Sequence, residues 1–97
     1  MAALYDQKVC KHTHGEFGIA AAAAHHILLT LPNVTDGAQQ TASVLSDDVV
    51  AGGLPIATGP RWGLIEAPGL GIEIDADKLK HYHEAFQRDG QFLPYAA

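Results

Sequence analysis

Apolar and polar positions change their period along this chain, and each change marks a predicted element. Lys8 to Lys11 is a short β-branched and apolar run that reads as a strand, continued by His12-Thr13-His14-Gly15-Glu16. If the strand persists to Glu16, its period of two sets His12, His14 and Glu16 on one face. From Gly15 to Leu31 the period lengthens. Ile19, Ala22, Ala23, His26, Ile27 and Thr30 fall at helical spacing, and Pro32-Asn33 ends the helix. The alanines from Ala20 to Ala24 give high helix propensity and let a neighbour approach closely, with little apolar drive of their own. Residues 2–7 read as the tail of a helix.

Val34-Thr35 is a minimal strand and Asp36-Gly37 a turn; Gln39 to Val50 reads as a loop with a short helix near Ser43 to Val50. Gly52-Gly53 breaks it. Beyond it, Leu54 to Ala57 and Leu64 to Ala67 read as a hairpin with an irregular turn at Gly59 to Gly63. Ile72 to Ile74 is a third short strand. Asp75 is a good N-cap for a last helix, Ala76 to Arg88, with Leu79, Tyr82 and Phe86 on its buried side and Gly90 as its stop. The apolar tail Phe92 to Tyr95 is expected to pack onto something. A parallel pair of strands joined by one helix cannot cover both faces of its sheet, so the pattern predicts a piece of a larger α/β structure.

Composition narrows the function classes. Ninety-seven residues make one small domain, and much of the 47% apolar content is alanine, so any core is thin. A net charge of −5, with six Lys and Arg scattered along the chain, argues against a nucleic-acid surface. Cys10 is the lone cysteine, which fits a reducing compartment. The start has no basic or long apolar signal region, and Ile19 to Leu31 is too short to span a bilayer, so a cytoplasmic chain with no membrane partner is expected.

The candidate chemistry sits at the end of the first strand, where α/β enzymes keep their active sites. Imidazoles there suit proton transfer at neutral pH. A His-x-His metal site is the competing reading, but Glu16 follows too closely for the usual spacing. His25 and His26 point in different directions on their helix, and His81 and His83 read as surface residues. Cys10, inside an apolar strand, reads as a buried and inert thiol. Trp62 with Arg61 reads either as an anchor for a partner or as hairpin packing. Gly69-Leu70-Gly71 precedes a strand and lacks the Lys and helix start of a phosphate loop.

Three stretches carry a resemblance to a known family: Val9 to Ala21, His26 to Asn33, and Pro68 to Asp75. Together they resemble the C-terminal end of the mandelate racemase/muconate lactonizing branch of the enolase superfamily, in its acid-sugar dehydratase-like members. The resemblance implies an α/β fold: the last one or two βα units of a (β/α)₈ TIM barrel, plus a C-terminal β-hairpin and helix. Residues 1–50 would be the last strands and helix of the barrel. Residues 51–97 would pack on a capping domain.

It further implies an enzyme that abstracts a proton next to the carboxylate of a small acid or acid-sugar substrate and stabilises the enediolate on Mg²⁺. The general acid/base at the end of the seventh strand falls on His12, with His14 second because a shift of one residue exchanges them. Lys11, Asp36, Gln39 and Gln40 become candidates for substrate contact. The metal carboxylates, second base and capping domain are not matched within these residues. The chain by itself is therefore expected to be inactive. The alternative from another class is a stand-alone module whose alanine helix and apolar tail drive homo-oligomerisation.

Overall fold

The alanine run makes the expected helix, but with a different face buried. In the computed structural model, which describes residues 1–35, 37–53 and 63–91, α1 spans Gly18–Thr30. It starts three residues later than the pattern predicts, because Gly15 takes φ +67° and turns the chain first. Its end is set by Leu31, extended before Pro32, and by Thr30 Oγ1 donating to the Ile27 carbonyl at 2.7 Å. Gly18, Ala21, Ala22 and His25 are its buried residues. That stripe is rotated by one residue from the predicted one, and Ile19 and Ile27 are left exposed.

The reason is steric. α1 lies so close to Val49 and Val50 that a Cβ on Gly18 would sit 2.6 Å from Val50 Cγ2. Only the small-residue face can approach that far. Ala21, Ala22, Val49 and Val50 form the apolar core among the described residues. The start of α1 is capped from a distance: the Gly18 N–H donates to Asp48 Oδ2 at 2.7 Å, a carboxylate at the positive end of the helix dipole.

α2, Ala76–Asp89, begins and ends as its sequence predicts. Asp75 Oδ1 accepts the Lys78 N–H at 3.0 Å, and Gly90, at φ +72°, donates its N–H to the Phe86 carbonyl at 2.8 Å. Its apolar stripe is a correction: Leu79, Tyr82 and Phe86 are all exposed, Phe86 at 60%, and α2 has no buried residue. The helices share no extended packing interface.

The predicted strands require the larger correction. Among the described residues there is no strand, so the expected βα units of a barrel with a C-terminal hairpin are not what these residues form. A strand exists only as part of a hydrogen-bonded ladder. The 8–11 segment is extended, and among the described residues two backbone bonds join it to the 33–39 segment: Val9 N–H to the Asn33 carbonyl at 3.0 Å and Gln39 N–H to the Lys11 carbonyl at 3.0 Å. Between these bonds the chain advances two residues on one side and six on the other, so no register holds.

Ile72 to Ile74 fares similarly, with one antiparallel bridge between Val50 and Ile74. Ala51 N–H to Glu73 and Asp75 N–H to Val49, both 2.8 Å, flank that bridge. In place of the short helix near Ser43 to Val50 there is a 3₁₀ turn at Ala42–Val44, and another at Ala2–Tyr5 stands where a helix tail was read. Leu64 to Ala67 is not a strand. The rest of the hairpin, Arg61 and Trp62, and the tail from Phe92 lie outside the described residues.

Among the described residues, no helix is long and apolar enough to cross a membrane.

Candidate functional site

Alternation along the first segment sorts its side chains into two sets. Cys10, His12 and His14 are exposed, while Lys11 and Thr13 are half-buried. The turn at Gly15 then breaks the period, so Glu16 joins Lys11 and Thr13 rather than His12 and His14. Lys11 Nζ donates to Glu16 Oε1, with the two side chains only 10% and 9% exposed. Thr13 Oγ1 donates to the same carboxylate oxygen at 3.2 Å and lies 2.9 Å from Thr41 Oγ1. A hydroxyl donates once, so Thr41 is the donor to Thr13, and it accepts the Gly15 N–H at 2.8 Å.

This network decides what Lys11 can do. Its ammonium is already held by a shielded carboxylate, and removing either partner would leave a poorly hydrated charge. Lys11 also lines the groove that holds His12. Spacing gave no warning of the Lys11–Glu16 pair, because five residues match neither a strand nor a helix period.

On the other side, His12 Nδ1 lies 2.6 Å from Gln39 Oε1. The two residues are brought together by the Gln39 N–H bond to Lys11. Cys10, Lys11, His12, Gly37, Ala38 and Gln39 line an open groove of about 410 Å³. Cys10 is a correction: the thiol is exposed at this groove, because the segment that carries it is not covered as a strand in a sheet would be. His14 is exposed and does not line the groove, and Gln40 is half-buried beside it without lining it. Asp36 lies outside the described residues. The structure thus joins His12 and Gln39 and leaves His14 and Gln40 apart from them.

The two helix histidines serve as ties that sequence reasoning left unassigned. Buried His25 donates from Nε2 to the Gly63 carbonyl at 2.6 Å, and His26 donates from Nε2 to the Leu70 carbonyl at 3.1 Å. Together they fasten the 63–70 stretch along α1. His81 and His83 are exposed, as read from their spacing.

Residues 1–78 match the family described as Enolase C-terminal domain-like. The chain belongs to that family. A curated relative, named probable glucarate dehydratase, from Streptomyces coelicolor, is 28% identical over 81 residues. The match covers 84% of this chain and 19% of that protein, so the chain spans about a fifth of the relative's length. No solved structure matches the chain.

For a member of the enolase family the metal question is direct. No group of three or more His, Cys, Asp or Glu that could hold a metal ion occurs among the described residues. The donors described here do not fit a Mg²⁺ site, and no step below is routed through one.

A second charged cluster lies away from the groove. Asp47 accepts hydrogen bonds from Lys78 Nζ and from Tyr82 Oη, the latter at 2.7 Å, which ties α2 to the 47–50 segment. The Lys78 bond first, then those of Tyr82 and the Asp48 N–H, hold the Asp47 carboxyl well below the usual carboxylate range. In return Asp47 pushes both Lys78 and Tyr82 up.

Proposed function

We propose that this chain supplies the proton-transferring histidine of an enolase-superfamily enzyme, an acid-sugar dehydratase or a racemase/epimerase. The substrate class is a small carboxylate or acid sugar. His12 is the base: it takes the proton from the carbon next to the carboxylate, and the C–H electron pair moves into the enediolate. The observation that carries this reading is the His12 imidazole, held by Gln39 at the rim of a groove that can admit a small acid. On this reading Lys11, Gln39 and the 37–38 segment, which line the groove with His12, are its substrate contacts. His14 is the less suited of the two histidines, since it neither lines the groove nor is oriented by an amide.

General base catalysis supplies roughly 10²–10⁴-fold, so His12 works only within a complete enzyme that also stabilises the enediolate. The Mg²⁺ that the family resemblance implies belongs to that remainder, in the cytoplasm. The chain alone is inactive on this reading.

The test is a chimera in which residues 1–78 replace the matching stretch of the Streptomyces coelicolor relative, assayed for turnover of acid sugars. An active chimera that loses roughly 10²–10⁴-fold in kcat on His12→Asn supports the assignment. Retained turnover in that variant overturns it.

A second reading has its own observation. Leu79, Tyr82 and Phe86 form an exposed apolar stripe on α2 that no described element covers. An oligomerising module would use it. Light scattering on the purified chain separates the two, since a discrete oligomer with a cooperative melt supports the module.

A further inference from the structure

The geometry points to α2 as a pairing surface for a second copy of this chain. Two α2 helices run antiparallel about a two-fold axis, and each sets its Phe86 ring into an apolar groove of the other. This rests on the reading of the chain as an oligomerising module and gives that module its contact surface; the role of His12 does not enter.

The two flanks of α2 differ. On one, Lys78 Nζ and Tyr82 Oη are bonded to Asp47, which closes that side with the 47–50 segment. On the other, Ile74, Ala76, Leu79, Lys80 and His83 line an open groove of about 490 Å³. Ile74 and Leu79 are exposed there, and so is Phe86, two turns beyond Leu79. α2 therefore carries a hollow on its N-terminal half and a bulky ring on its C-terminal half. Such a helix complements itself when the second copy runs the opposite way, each ring meeting the other's hollow.

The register follows from the helical rise. Leu79 and Phe86, seven residues apart, are separated by about 10.5 Å along the axis. Placing each opposite the other puts the two-fold between Tyr82 and His83. Lys80 then comes within about one residue of Glu84 of the second copy. Charge selects the same orientation. Lys80 and Glu84 lie one turn apart and form a loose, exposed pair at 3.8 Å. Antiparallel helices bring each Lys80 to the other copy's Glu84 and oppose their dipoles, whereas parallel helices would set like charges together.

Only a few large side chains are covered on a helix of 14 residues, which places the pairing in the weak, transient class. At the low micromolar concentrations of an unfolding experiment the chain is then a monomer.

The experiment is sedimentation equilibrium on the full chain from about 10 µM to about 1 mM. The mean mass should climb from that of one chain towards that of two. Phe86→Ser and Lys80→Glu should each weaken the association by roughly tenfold, with the helical circular dichroism unchanged. On a Cys10→Ser background under mild oxidant, His83→Cys lies next to the two-fold and should give a covalent dimer. Gln87→Cys should not, because only a parallel pair brings that position to its own copy.

A mass that stays at one chain throughout overturns the inference and the module reading together. Association that survives Phe86→Ser, or a covalent dimer through Gln87→Cys, overturns the inference and leaves the module standing. If association appears only after residues 92–97 are removed, the tail is the occupant of the groove and the inference falls.

Discussion

α1 and α2 differ in a way that hydrophobicity alone would invert. α1 is apolar nearly all round, and it buries its smallest residues, Gly18, Ala21 and Ala22, while Ile19 and Ile27 stay in water. α2 sorts Leu79, Tyr82 and Phe86 into one stripe, the pattern expected of a half-buried helix, and buries none of them. Burial follows what stands opposite. Val49 and Val50 meet the small face of α1 at a distance that excludes larger side chains. No described element covers the stripe of α2, which is joined instead by caps, one bridge and the Asp47 cluster. An amphipathic pattern states which face a helix would bury, and the fold supplies the cover or does not.

The comparison can be broken most strongly at the lead-in to α2. Gly71 adopts φ +73°, and a Cβ there would lie 2.0 Å from the γ2 methyl of the stiff Ile65 side chain. Gly71→Ala should cost about 2–4 kcal/mol, from left-handed backbone strain together with overpacking, measured by urea unfolding followed by circular dichroism. On the α1 side, Gly18→Ala meets Val50 and Asp48 and should cost about 1–3 kcal/mol in the same assay. A neutral result there would show that α1 can stand off from the valines, and the steric account of its buried face would fail.

The tie holding α2 predicts a pH window. Asp47 is depressed in the folded chain, so its contribution is present above the unfolded carboxylate value near 4 and fades as pH falls towards the lower folded value. Lys78 and Tyr82 are raised, so their contribution is complete below about 10 and is lost as pH rises through the folded values. Hydrogen exchange of α2 amides should therefore be slowest, relative to the intrinsic rate, between those limits. Asp47→Asn should flatten the acid side of the profile and leave α1 unchanged. The smallest effect belongs to Phe86→Ser: with the ring 60% exposed, stability should move by less than about 0.5 kcal/mol. A larger loss would mean that the stripe is covered in solution, and the oligomerising module would gain.

Local signals were the legible part of this chain. Asp75 and Gly90 mark both ends of α2 because capping depends on a few neighbouring residues. The alanine run marks α1 for the same reason. The strands were not legible, because a ladder depends on partners distant in sequence, and a run such as Lys8 to Lys11 carries no record of whether a register exists. The buried face of α1 lies one residue from the predicted stripe, because helical spacing alone does not say how closely Val50 approaches, and only the smaller face fits there.

At the groove, His12 and Gln39 were both named from the family resemblance, Gln39 as a substrate contact, and the structure brings their side chains together. The Glu16 partnership was missed because one glycine, turned to positive φ, moved it to the other face. The exposure of Cys10 was missed together with the absent sheet.

Asp47 and Asp48 are neighbours in the chain, and each holds a different helix: Asp47 the side chains of Lys78 and Tyr82, Asp48 the first amide of α1. Among the described residues, the 47–50 segment thus touches both helices, through these two carboxylates and through Val49 and Val50, which meet α1 and bond the lead-in to α2. A push on one helix reaches the other through that segment, and α1 in turn adjoins the turn at Gly15 that ends the histidine segment. A partner that grips α2 would thus have a short mechanical path to the rim of the groove.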